Sequence, residues 1–397
     1  MMRPLEGIRI ADFTLHAAGP FSTHILSMLG AQCIKIESAL RPDIFRRAHP
    51  VYGRLEAASF DQVSSNKLSV TLNLKDEQGV ALAKRLVSVS NVVVESFRPG
   101  VMSRLGLGFD ELRKVRPDLV MLSVSSSGQT GPDRQFAGYA PLFGAWGGLG
   151  YLTGYSDGPP VEMRHVMDHS VGLAAAFAML SAIYYQRTTG RGQHVDVAAR
   201  EVASSFLGEA LLEAAAGRTP ERSGNTHPAM APYGTYPCRE PETWISLAVE
   251  DDPEWQQLAR ALGRTDWTAD ARFATTSDRL AHRQALDEAM AEMTSALEAG
   301  ELAERLQALG IAAVPAWSTR DLAADPHLRA RGALVTLSGL NGLERDVVGS
   351  PFRMSRCTTG IDRWTPALGE HNDFVFGELL GIGDEDRKRL TEEGVIL

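Results

Sequence analysis

The chain has 397 residues, 44% hydrophobic and 22% charged, with a formal net charge of -9 at pH 7. Its length exceeds what one core supports, so two domains are expected, and the composition excludes an intrinsically disordered chain. The acidic balance argues against a nucleic acid as main partner, so any anionic ligand has to meet local positive charge.

The first part of the chain alternates short β-branched runs with helical patterns. IRIADFT is followed by a helix near PFSTHILSMLG and the strand CIKIES, then KLSVTLNL, the helix EQGVALAKRLVSVS, NVVVESF, the helix FDELRKVRP and LVMLSVSS. Strand, helix and strand in this rhythm predict an α/β class with a mostly parallel, Rossmann-like sheet. Right-handed crossovers then set the loops after the strands, Thr14 to Pro20 and Ser96 to Gly100 among them, along one ligand-binding edge. Gly128 to Pro160 is rich in Gly, Pro and aromatics and reads as loop with short helical pieces.

From Asp168 a long Ala-rich helix runs to a Thr-Gly-Arg-Gly turn, followed by the strand HVDVA and a helix near REVASSFLGEALLEAAAG. Polar, Gly and Pro residues at Gly217 to Pro232 mark a boundary, and YGTYPC and TWISLAV read as an antiparallel pair before charged amphipathic helices over Pro253 to Leu309. The expected division is a large domain over 1–215, completed by 330–397 packing back on it, and a small α+β domain over 216–329.

The cysteines Cys33, Cys238 and Cys357 are far apart and form no CxxC or Cys/His ligand spacing, which fits reduced thiols, a cytoplasmic location and no zinc. The start lacks the plan of a signal peptide, and the most apolar run, Val171 to Tyr185, is shorter than the roughly 18 to 20 residues a membrane span requires. No membrane partner is expected. There is no GxGxxG after the first strand, no GxxxxGK[ST], no GxSxG and no HExxH. His16, His24 and His169 taken singly read as surface or capped residues. His165 and His169 flank Asp168 without a third ligand nearby, so no metal is inferred.

Asp168 has two readings. An Asp at the mouth of a helix is ordinarily a cap, accepting hydrogen bonds from the first free amides. Against this, the following helix is apolar nearly all round, which predicts that it is buried, with its N-terminus and a nearly dry carboxylate aimed at an interior cleft.

The chain resembles the class III, or family III, coenzyme A transferases, a group that includes formyl-CoA transferase and crotonobetainyl-CoA:carnitine CoA-transferase. The resemblance rests on the order and spacing of LEGIRIADFTLHAAGP, GAQCIKIES, NKLSVTLNL, VVVESFRPGVMSRLG, SVSSSGQTGP, the Asp168 helix ending RTTGRGQHVDV, GNTHPAMAPYGTY and ADPHLRARG, over essentially the whole length. It implies that Asp168 is the nucleophile, carrying aspartyl anhydride and aspartyl-CoA thioester intermediates. It further implies an interlocked homodimer of ring-shaped chains. Coenzyme A, or its acyl thioester, is then a substrate rather than a permanently bound cofactor, and small carboxylic acids are the other partners.

Positions matching the family's CoA contacts are His16, Ala17 and Ala18, Leu72 against the adenine, and Ser96, Phe97, Arg98 and Arg104, with Tyr139 further on. Ser38 stands where several relatives have a phosphate-binding Arg, which makes Arg41 or Arg46 the expected substitute. Arg164 and His165 are candidates for binding a second carboxylate of a dicarboxylic substrate, whereas Tyr139, Phe143, Trp146 and Tyr151 suit an apolar acyl group. The α-methylacyl-CoA racemases share the resemblance, but their His-Asp pair would fall at Tyr139 and Ala140 here, which ranks racemisation second.

Overall fold

The computed structural model describes residues 2–46, 58–163, 166–339, 342 and 344–397. Its chain divides into a larger unit, residues 1–150, 162–218 and 327–397, and a smaller one, residues 151–161 and 219–326.

In the larger unit β1 (Arg9–Asp12), β2 (Gln32–Glu37), β3 (Leu68–Thr71), β4 (Val92–Glu95), β5 (Val120–Ser125) and β6 (Gln193–Ala198) form one sheet of order β3-β2-β1-β4-β5-β6, with every neighbouring pair parallel. This is the strand order of doubly wound nucleotide-binding folds, whose direction of progression reverses between β1 and β4. Both faces of the sheet are covered, so the strands read as continuous apolar runs. Val92 and Val94 point into the core beneath α1 (Ala18–Met28) and the long helix of Asp168. Val93 points the other way, into the core of α2 (Glu77–Ser88) and α3 (Phe109–Val115).

Beyond β5 the chain forms α4 (Ala140–Trp146), α5 (Val166–Thr189) and, after β6, α6 (Ala199–Ser205). The C-terminal part returns to this unit. His371 N–H donates to Ser69 O at 2.9 Å, Thr71 N–H donates to Asn372 Oδ1 at 2.9 Å, and Asn73 N–H donates to Val395 O at 2.9 Å, so residues 371–397 cover the open edge at β3. Val375, Phe376, Ile382 and Val395 complete the second core, together with α7 (Asp384–Glu392). A hairpin, β10 (Leu334–Ser338) and β11 (Glu344–Val348), belongs to the same unit.

α5 departs from the sequence reading in two ways. It has 24 residues, with a mean hydropathy of 1.5 over its most apolar window, and among the described residues it is the one helix that meets the length and composition for crossing a membrane. Its apolar surface is also divided. Met167, Val171, Ala175, Met179 and Ile183 are buried against α1 and the sheet, whereas Leu173, Phe177 and Tyr184 are exposed. Gly172 permits the close approach of α1, since a Cβ there would lie 2.9 Å from Ala18 O and 2.8 Å from the Phe21 ring.

The smaller unit holds a three-stranded antiparallel sheet in the order β7 (Tyr233–Pro237), β8 (Trp244–Ala248), β9 (Ala312–Pro315), one strand more than the expected pair. The segment 151–161 belongs to this unit, where the sequence reading assigned it to the large domain. Arg222 accounts for that. Its guanidinium donates to Tyr155 O at 3.0 Å, Tyr151 O at 3.2 Å and Gly158 O at 2.8 Å, tying the excursion to the chain beyond residue 219.

Candidate active site

A cavity of about 430 Å³ lies at the carboxyl ends of β1, β4 and β5, beside the reversal of strand order, where open α/β sheets bind ligands. Its wall includes the starts of four helices, with Ala18 of α1, Ala140 of α4, Asp168 of α5 and Ala199 of α6 all contributing. Of these, α1 and α5 are the longer helices, of 11 and 24 residues, and the free amides and partial positive charge of a helix N-terminus suit an anionic ligand. Asp168 is the one carboxylate among the described residues that line the cavity.

The helix starts at Val166, so Asp168 lies inside its first turn, past the cap position expected from sequence. It is half-buried rather than nearly dry. Phe21 of α1 packs edge-on against His169 at 4.5 Å between ring centroids, which fixes this turn against the start of α1. Arg164 and His165 lie outside the described residues.

Seven of the residues expected to contact CoA meet Asp168 in this cavity: His16, Ala17, Ala18, Ser96, Phe97, Arg98 and Tyr139. His16 adopts left-handed backbone geometry, φ 67, which is uncommon for a residue with a side chain. Its N–H donates to Asp43 at 3.2 Å, and its ring meets the rings of Phe45 and Tyr139 edge-on, with centroids 6.3 and 6.1 Å away.

Two buried ion pairs support this first loop: Lys67–Asp12 at 3.0 Å and Lys35–Asp43 at 3.3 Å, all four side chains fully buried. Lys35 Nζ also donates to Thr14 O at 2.6 Å, while Asp12 accepts from Thr14 N–H at 2.9 Å and Thr23 Oγ1 at 2.7 Å. Burial pushes the Asp12 carboxyl up, but Lys67, Lys35 and the Thr14 and Thr23 hydroxyls together outweigh it and hold the group below its ordinary value. It therefore stays ionised as the anchor of the loop.

Leu72, Arg104 and the two arginines offered for the phosphate, Arg41 and Arg46, lie elsewhere. Leu72 is fully buried in the core with Ala11 and Ile34 and presents no surface to an adenine, which corrects that assignment. Arg104 lines a separate groove of about 560 Å³ with Lys75, Lys84 and Val80. Its Nη1 lies 3.2 Å from where a Gly100 Cβ would stand, at the end of the loop that carries Phe97 and Arg98. Arg41 is exposed and lines neither cavity. Arg46 is committed to structure, with Nε donating to Glu37 Oε1 at 2.8 Å, Nη2 to Glu37 Oε2 at 2.6 Å and Nη1 to Pro366 O at 3.0 Å.

Of the aromatics expected around the acyl group, Tyr139 and Phe143 line the cavity. Trp146 instead stacks on Phe136 at 5.1 Å and lies under the Arg200 guanidinium at 4.3 Å, and Tyr151 belongs to the smaller unit. The glycine-rich stretch near these residues receives a carboxylate of the chain itself. Cβ atoms at Gly144 and Gly150 would stand 2.9 and 2.2 Å from the Glu162 carboxylate oxygens.

Sequence reasoning missed Glu95. It is 3% exposed, its Oε2 accepts Phe97 N–H at 2.7 Å, and burial pushes its carboxyl up to about 7 although the Ser123 hydroxyl and Phe97 N–H oppose this. The strand register sets Glu95, Ser123 and Asp196 in one row across β4, β5 and β6, and Ser123 Oγ lies 2.9 Å from His194 Nε2.

The larger unit is thus a doubly wound α/β fold with a cavity at its switch point whose lining, among the described residues, includes one carboxylate. The chain matches the family model described as CoA-transferase family III over residues 5–372 and belongs to that family of enzymes. It is 33% identical to the succinyl-CoA–D-citramalate CoA-transferase of Chloroflexus aurantiacus, over 99% of this chain and 98% of that one. Against a formyl-CoA:oxalate CoA-transferase of Streptomyces coelicolor the identity is 32%, over 99% of both chains. The crystal structure of a CaiB/BaiF family protein from Brucella suis superposes with a TM-score of 0.88 at 32% identity, covering 96% of this chain and all of that one (100%).

Proposed function

We propose that this enzyme moves coenzyme A from an acyl-CoA donor to a carboxylic acid acceptor, with Asp168 as the nucleophile. One observation carries the assignment: among the described residues, Asp168 is the sole carboxylate lining a cavity to which the starts of several helices contribute. A carboxylic acid acceptor is a weak nucleophile toward a thioester, and a carboxylate of the enzyme that relays the acyl group removes that difficulty.

A carboxylate oxygen of Asp168 attacks the thioester carbonyl, the C–S bond breaks, and CoA leaves as thiolate to give a mixed anhydride. The thiolate then attacks the aspartyl carbonyl, releasing the first acid as carboxylate and forming an aspartyl-CoA thioester. The acceptor carboxylate attacks that thioester and expels the thiolate. Attack of the thiolate on the acyl side of the new anhydride yields the new acyl-CoA and returns Asp168 as carboxylate. Each step exchanges one activated acyl group for another, so ATP is not required. The backbone amides at the start of α5 stabilise the oxyanions, and one such donor is typically worth about 3 kcal/mol of barrier.

The groove of Lys75, Lys84 and Arg104 suits the phosphates of CoA, and Gly100 joins it to the loop of Ser96, Phe97 and Arg98, which suits the pantetheine arm. Racemisation ranks second, because Tyr139 and Ala140 supply no acid–base pair. A homodimer is part of the proposal, supported by the exposed apolar residues Leu173, Phe177 and Tyr184 on α5. Use of acyl-CoA fits the cytoplasmic setting expected from the cysteines.

The test is chemical trapping during turnover. Hydroxylamine added while the enzyme exchanges CoA between a thioester and an acid should leave a hydroxamate on Asp168, read by peptide mass spectrometry. A mark on another residue, or none, removes the assignment.

A further inference from the structure

We propose that Arg134 makes the acid subsite of this cavity selective for dicarboxylic acyl groups, by pairing with their distal carboxylate; the inference rests on the CoA-transferase reading above. Two guanidiniums line the cavity, Arg98 and Arg134, and neither has a hydrogen bond or ion pair within the described chain. Other arginines of the same unit are engaged, Arg46 by Glu37 and Arg345 by Asp61 among them. The acid beside Arg134 in sequence, Asp133, is held by Arg200 at 2.9 Å, and Arg200 is itself fixed over Trp146. The sequence neighbour Asp133 is thereby paired with Arg200 rather than with Arg134. The Gln135 side chain donates to Pro99 O at 3.3 Å, which joins the segment of Arg134 to the loop of Arg98 and brings both cations to one cavity.

The two arginines sit on chain segments of different character. The loop of Arg98 continues through Gly100 toward the cationic groove of Arg104, the side suited to CoA. The segment of Arg134 leads to Gly138 and Tyr139 at the start of α4, and a Cβ at Gly138 would lie 2.5 Å from the Ser126 hydroxyl. The hydroxyls of Ser125 and Ser126 are buried without a hydrogen-bond partner, and both residues line the cavity. Buried hydroxyls without partners are costly, and a ligand that accepts from them recovers that cost. A carboxylate is such an acceptor, and Arg134 supplies its charge. Phe143 and Val171 on the same wall accommodate the intervening methylenes.

The experiment compares succinyl-CoA with butyryl-CoA, which differ by a carboxylate in place of a methyl group, as donors to the same acceptor acid. The wild-type enzyme should show at least tenfold higher kcat/KM for succinyl-CoA, and R134M should lower that value by about 100-fold and collapse the ratio toward one. R134K should restore part of the preference, and S126A should reduce it by several-fold. R98M should weaken both thioesters alike. Isothermal titration of succinate gives a readout independent of turnover, with binding to the wild type lost in R134M. A wild-type preference for butyryl-CoA, or an R134M enzyme whose ratio is unchanged because both thioesters suffer equally, overturns the inference and leaves the transferase reading intact. Absence of exchange with either thioester overturns the inference, and absence of exchange across a wider panel of acyl-CoA donors overturns the transferase reading as well.

Discussion

The hydroxyl of Ser96 holds both backbone polar groups of Leu15, accepting its N–H at 2.9 Å and donating to its carbonyl at 3.2 Å. One side chain on the loop after β4 thereby sets the height of the loop after β1, across the point where the strand order reverses. Replacing it by Ala removes both bonds and leaves the Leu15 groups unsatisfied, at a cost of about 1–2 kcal/mol. S96A should raise KM for acyl-CoA by about tenfold while kcat falls less, because the loops proposed to hold the thioester lose their tie but Asp168 keeps its place. Steady-state kinetics with the acyl-CoA varied would check it, and an unchanged KM would contradict it.

D168N keeps the shape of the side chain and removes the charge on which the proposed nucleophilic role depends. Transfer should fall by at least about 10⁴-fold. Because Asp168 is half-buried in the first turn of α5 and not its cap, the melting temperature should move by no more than about 2 °C. Isotope exchange between free and esterified CoA, measured alongside a thermal melt, separates the two outcomes.

Glu95 links the pH to stability. Its carboxyl is raised from an ordinary 4.5 to about 7, chiefly by burial. Between these values the folded chain holds a proton that the unfolded chain has released, so stability falls as pH rises through this window and is level above it. Asp196 faces Glu95 across the row and adds to the rise, Ser123 and Phe97 N–H oppose it, and the burial of His194 lowers that imidazole and keeps it neutral at pH 7. E95Q retains an acceptor for Phe97 N–H and does not titrate. Urea unfolding at several pH values between about 5 and 8 should show the wild type losing up to about 3 kcal/mol relative to E95Q. Parallel curves would place the Glu95 titration elsewhere.

Phe177 is 74% exposed and Leu173 is 53% exposed on a helix whose opposite face is core. If this face of α5 carries the proposed homodimer interface, F177E together with L173E should leave the enzyme monomeric at micromolar concentration, which light scattering after size exclusion resolves. Dimers that persist in the double variant would move the interface to another face.

The sheet was legible because its strands are continuous apolar runs separated by amphipathic helices. What escaped depends on partners remote in sequence. NVVVESF shows a strand that ends in an acid, but the row of Glu95, Ser123 and Asp196 exists only once β4, β5 and β6 are aligned. Arg46 looked available for phosphate until Glu37 of β2 claimed it. Leu72 follows β3 directly, and its side chain turns into the core, which spacing from a motif does not reveal. The exposed stripe of α5 was hidden by composition, since apolar residues on every side of a helix look alike until packing chooses between them.

The cover that residues 371–397 provide for β3 bears on how the molecule is made. While the nascent chain still lacks these residues, Ser69, Thr71 and Asn73 offer a bare strand edge to any neighbouring polypeptide. A chain cut before residue 371 would leave this edge bare and should aggregate rather than behave as a slightly shorter enzyme.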